Sequence, residues 1–200
     1  MIDLKGYEDV QPVMPGEFAK LPAGGYICQV INAEITKSKA GNPMLVLFID
    51  IAEGDFQGHF KNAFSRVKSF NSDLKWDKSA IYRQLIFNNN GVTSQFFKGL
   101  ITCFEKSNPH IAFKPHAFDE NILRGSLIGF IFAEEEFMWN GDIKSRVFPK
   151  FPRLVDDIRQ GKFTVPDIKR LDKTTTSTTT PAQSKDPFGG SPVDDFDTPF

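Results

Sequence analysis

The chain has 200 residues, with 24 Lys and Arg against 25 Asp and Glu, a net charge of −1 and 40% hydrophobic residues. That is room for one ordinary domain with a sizeable core, and the balance excludes a uniformly basic surface, so any cationic site must be a local patch. Residues 1–172 carry 22 Lys and Arg against 21 Asp and Glu, whereas residues 173–200 carry two Lys against four Asp.

In chain order, residues 1–23 hold Pro12, Pro15 and Pro22 and read as an extended leader. Gly24-Gly25 supplies a turn. From Tyr26 to Ile35, Ile27, Ile31, Ala33 and Ile35 fall on one face and Tyr26, Cys28 and Val30 on the other, the pattern of a strand covered on both sides. A polar turn, Lys37 to Asn42, leads to a second strand, Met44 to Ile51. Glu53-Gly54-Asp55 and Gly58 mark the next turn, and alternation from His59 to Phe64 predicts a third strand.

The period then changes. Asp77 is placed to cap a short helix holding Ile81, Tyr82, Leu85 and Ile86. Thr93 is placed to cap a second, in which Phe96, Phe97, Leu100, Ile101 and Phe104 form an apolar stripe and after which Pro109 follows closely. Strand periodicity returns from Ser126 to Ala133, and Asn140-Gly141 is the strongest hairpin signal in the chain, joining that strand to Ile143–Phe148. Three strands, a helical insert and two strands is the order of an OB-fold. The expectation is a mainly β protein: a five-stranded OB-fold barrel over residues 24–172 with a helical insert between strands 3 and 4, then a disordered acidic tail over residues 173–200.

That tail hangs from the Thr-rich run Thr174–Thr180 and ends Asp194-Asp195-Phe196-Asp197-Thr198-Pro199-Phe200. Its terminal aromatic and acids suit capture by a partner with an apolar pocket rimmed by cations. The ending resembles that of bacterial single-stranded DNA-binding proteins and several phage replication proteins, which close an acidic run with Pro-Phe or Phe. Asp194, Asp195, Asp197, Pro199 and Phe200 match; Phe196 and Thr198 depart from the pattern. The body, through Leu21-Pro22-Ala23-Gly24-Gly25-Tyr26 and Asp50-Ile51-Ala52-Glu53-Gly54, also resembles a phage-encoded family of single-stranded DNA-binding proteins, loosely over residues 20–170. The resemblance implies protection of single strands during replication, recombination or repair, and recruitment of replication or recombination proteins through Asp194–Phe200. The charge asymmetry adds a second expectation, that the tail competes with DNA for a basic groove in its own body.

Holding a single strand takes cations for phosphates and exposed rings for bases. Two stretches supply both. In the first, Lys61, Arg66, Lys68, Lys75 and Lys78 interleave with Phe60, Phe64, Phe70 and Trp76, the last being the best stacking candidate. In the second, Phe137, Met138 and Trp139 lie at the hairpin tip, and Lys144, Arg146, Lys150 and Arg153 lie along its return with Phe148 and Phe151 between. Glu134-Glu135-Glu136 interrupts the second stretch. The residues chosen for DNA contact are Lys61, Arg66, Lys68, Phe70, Lys75, Trp76, Trp139, Lys144, Arg146 and Lys150. Single-stranded RNA fits the same chemistry.

Sixteen of the 21 Phe lie between Phe48 and Phe151, and most must be core. Cys28 and Cys103 have no partner at metal-ligand spacing, which predicts reduced thiols in a cytoplasm, and the longest apolar run, Leu127–Ala133, is too short for a membrane span. No phosphate-binding loop, no Gly-x-Ser-x-Gly and no HExxH motif occurs, so no enzyme, cofactor or metal site is expected. The rival readings are an interaction or inhibitor module whose tail competes for a host protein, and a metal-dependent nuclease built on Asp50, Glu53 and Asp55. Oligomeric state, monomer or homodimer, is left open.

Overall fold

The computed structural model describes residues 3, 8, 20–68 and 73–171; most of the leader, Phe70 and the whole acidic tail lie outside them. Five strands, β1 (Gly24–Lys37), β2 (Pro43–Ile51), β3 (Ile81–Leu85), β4 (Leu127–Trp139) and β5 (Asp142–Arg153), form one antiparallel sheet in the order β3-β2-β1-β4-β5. The helices are α1 (His59–Lys68), α2 (Gln95–Ser107) and α3 (Val155–Arg159). The edge strands β3 and β5 touch, but no ladder joins them among the described residues, so the sheet is open.

β1 is the hub. Its first half, Gly24–Gln29, pairs with β4 and its second half, beyond a bulge between Val30 and Asn32, runs on with β2 alone. The bulge adds a residue and reverses which parity faces inward. Cys28 and Val30 are therefore core on one side of it and Ala33 on the other, while Ile31 and Ile35 are exposed. The expected single face of Ile27, Ile31, Ala33 and Ile35 is thus split by the bulge.

Two neighbouring elements exchange roles relative to expectation. Residues 59–68, expected to begin as a strand, form helix α1, and Ile81–Leu85, expected as a helix, is the edge strand β3. Phe60 and Phe64 are four apart, a spacing that fits one helical face as well as one strand face, and Ala63 and Val67 complete the helical set. The helix start is fixed from outside: buried Asp50, near the end of β2, accepts the amide of Phe60 at 2.9 Å and of Ile51 at 2.9 Å. Asp77 does cap, but only the 3₁₀ turn Lys78–Ala80, through the amide of Ser79 at 2.7 Å. Tyr82 then seats its ring 4.8 Å from that of Phe130, which β3 can do only as a sheet partner of β2.

The second helix is where it was expected, with Ser94 rather than Thr93 as its cap, and it buries Phe97, Leu100, Ile101 and Phe104 while Phe96 stays exposed. Its end is tied to β4 by Asn108. That buried amide donates to the carbonyls of Phe104 at 2.9 Å and Leu127 at 2.8 Å and accepts the amide of Leu127 at 2.9 Å. One core cluster unites these helices with Phe130 and Phe132 of β4.

Candidate nucleic-acid interface

The Asn140-Gly141 turn, with φ of 50° and 86°, closes β4 and β5 as a two-residue hairpin. Its register decides which side chains share a face. Phe132 pairs with Pro149, Ala133 with Phe148, Glu135 with Arg146, Phe137 with Lys144 and Trp139 with Asp142. Because Phe132 and Val147 face the core, alternation sends Glu135, Phe137 and Trp139 of β4, and Lys144, Arg146 and Phe148 of β5, to the opposite face.

On that outer face the Arg146 guanidinium lies between two rings, 5.4 Å from the centroid of Phe137 and 5.3 Å from that of Phe148, and bonds Glu135 at 3.1 Å. Lys150 sits at the bulge of β5 with its ammonium 5.5 Å from the ring of Phe151. Lys144 and Trp139 are exposed. So the second predicted stretch assembles on one face as rings alternating with cations.

The three consecutive glutamates are each engaged. Glu134 accepts Lys20 at 2.9 Å, and hydrogen bonds to it from Lys20 and then Ser145 hold its carboxyl below its usual range; Lys20 also reaches the Ser145 hydroxyl at 2.6 Å. Glu135 pairs with Arg146, and Glu136 accepts the amide of Leu171 at 3.1 Å. Sequence reasoning missed Lys20. It also missed the segment after α3, which crosses the sheet with Phe163 against Gly25 and pairs in parallel at Lys169 with Glu135. The bareness of Gly25 was the available signal: a Cβ there would stand 2.4 Å from the Phe163 ring.

The first stretch is dispersed. Lys61 and Lys75 are exposed on α1 and on the following loop. Arg66 lines a cleft of about 740 Å³ between α1 and the Ser145–Val147 stretch of β5, along with Lys20 and His59 but also Asp55 and Asp77. The ammonium of Lys68 stands 5.2 Å from the Phe64 ring, and that ring is 5.2 Å from Trp76. Trp76 itself is half-buried against the core, with its indole N–H donated to the Ile49 carbonyl at 3.2 Å. It covers the end of β2 more than it offers a platform. Phe70 lies outside the described residues, as do Asp194, Asp195, Phe196, Asp197, Pro199 and Phe200.

The carboxylates considered for a metal do not converge. Asp50 is buried on backbone amides, Glu53 forms an ion pair with Arg159 at 2.6 Å, and Asp55 lines the cleft. Among the described residues no group of three or more His, Cys, Asp or Glu is placed to hold a metal ion, and no helix is long and apolar enough to cross a membrane.

A family model described as "Protein of unknown function (DUF669)" matches residues 9–100, just under half of the chain. The matched stretch takes in β1, β2, α1, β3 and the start of α2, and ends before the β4–β5 hairpin. No curated protein matches the chain.

Proposed function

We propose that the chain is a sequence-nonspecific single-stranded DNA-binding protein of OB type that serves phage DNA replication, recombination or repair in a host cytoplasm. The observation that carries this reading is the outer face of the β4–β5 hairpin, where Phe137, Arg146 and Phe148 stack and Lys144, Lys150 and Trp139 flank them. Cations neutralise phosphates and release counterions, while ring faces stack on any base, a combination that binds a strand without reading its sequence. The strand order supports an OB reading, since joining β3 to β5 would close the sheet into the five-stranded barrel. Arg66, in the cleft beside Ser145–Val147, and the exposed Lys61 and Lys75 lie apart from the hairpin's outer face and would be secondary phosphate contacts.

The tail leaves the described body at Leu171, beside Glu136 in the hairpin stem. In this reading Asp194–Phe200 recruits replication proteins, and its acids reach the hairpin face when DNA is absent.

Fluorescence titration with a single-stranded oligonucleotide, at several salt concentrations and against its duplex, tests the reading. Saturable quenching that weakens steeply with salt and is poor for duplex is expected. Because Trp76 is half-buried, Trp139→Phe should remove most of the quenching. Absence of salt-dependent binding to the single strand would overturn the reading. Deleting residues 173–200 should raise affinity at low salt; unchanged affinity would rule out competition by the tail while leaving recruitment standing.

A further inference from the structure

We infer that the end of the β4–β5 hairpin binds the terminal base pair of a duplex, so that the protein seats at junctions between single and double strands; this rests on the single-strand reading above. Met138 and Ile143 are cross-strand partners at the last position before the Trp139–Asp142 pair, and they are 59% and 40% exposed. By register they lie on the face opposite Arg146. The hairpin therefore ends in a narrow apolar edge, with Trp139 on one side and Met138 and Ile143 on the other.

Three features favour a base pair as the occupant. The edge is three side chains, Trp139, Met138 and Ile143, on strands about 5 Å apart, far below the roughly 800 Å² per partner of a stable protein interface, whereas apolar wedges of Met, Ile and similar side chains are what unstack base steps. It is continuous with the cationic face: a strand held at Lys144 and Arg146 arrives at this end. And its stem is braced, as a wedge must be, by the Glu135–Arg146 pair, by Lys20 on Glu134 and Ser145, and by the parallel bridge at Lys169. Trp139 then holds the single strand while Met138 and Ile143 cap the duplex.

The test compares the full chain with Met138→Ser/Ile143→Ser, measuring anisotropy with a labelled 20-nucleotide single strand and with the same strand continued into a stable stem-loop. The wild type should bind the junction about tenfold more tightly, the order expected of one stacked contact. The double variant should bind both substrates equally, at the wild-type affinity for the single strand. The proposal falls if the wild type shows no junction preference, if the variant keeps it, or if the variant loses single-strand affinity in proportion. It falls too if the variant instead abolishes a self-association of the wild type, which would make the edge a contact between copies. Binding of neither substrate would sink the single-strand reading itself, a result distinct from equal binding of both.

Discussion

A carboxylate at 5% exposure is costly to bury unless its oxygens are engaged, and one oxygen of Asp50 takes two backbone amides, of Ile51 and Phe60. The second amide belongs to the first turn of α1, which has no intrahelical partner of its own. Asp50 thus joins a strand end to a helix start ten residues on. Asp50→Ala leaves buried amides without an acceptor and is expected to destabilise the fold by about 1–3 kcal/mol in urea unfolding. Asp50→Asn, which keeps an oxygen in place, should cost clearly less; equal losses would show that packing rather than the amide contacts matters here. Such a role is invisible in the sequence, where Asp50 is simply the acid before a turn. Trp76 was legible only in part: its neighbourhood of Lys and Phe is there, but the bond to the Ile49 carbonyl that turns it inward depends on β2 passing beneath.

Among the elements, the ones that could be read from sequence are those whose signals are local. Asn140-Gly141 specifies its hairpin, and the spacing of Phe97, Leu100, Ile101 and Phe104 specifies α2. The exchange of α1 and β3 could not be read, because Phe60/Phe64 and Ile81/Leu85 have a four-residue spacing that both periods accept. Tertiary partners decided: Asp50 for the helix, β2 and Phe130 for the strand. The strap after α3 had no periodic signal at all, and only the glycine beneath it marks its path. Gly25→Ala would place a methyl 2.4 Å from the Phe163 ring and must lift the strap. The expected cost is about 1–3 kcal/mol, with earlier proteolysis at residues 163–171. Phe163→Ala removes the clash, so the two changes should combine to less than their sum in a double-mutant cycle. For the hairpin, Arg146→Ala should lower the slope of log affinity against log salt by about 1. Arg146→Lys should restore the slope but not the full affinity, since an ammonium cannot lie flat between Phe137 and Phe148.

For the molecule as a whole, four thiol and phenol groups among the described residues bias stability against alkali. Burial, with a further contribution from Asp50, holds the Cys28 thiol well above its ordinary value of 9.0, and burial also raises the Cys103 thiol and the hydroxyls of Tyr82 and Tyr26. The folded chain keeps these protons after the unfolded chain has released them. Stability is therefore full below about pH 9 and falls as the pH rises above the unfolded-state values. Melting temperatures across pH 7–11 should decline more steeply for the wild type than for Cys28→Ala, each normalised to its value at pH 7. A parallel decline would show that Cys28 is not one of the groups responsible.

The placement of β1 also sets a clock. Its first half pairs with Leu127–Phe132, made roughly a hundred residues later, and the family-model match ends before that partner begins. During synthesis at about 5–20 residues per second, the nascent strand waits on the order of 5–20 s with its hydrogen-bonding edge unpaired. A ribosome paused between α2 and β4 would therefore expose a sticky half-sheet to chaperones, and a chain truncated there is expected to aggregate instead of folding as a smaller domain.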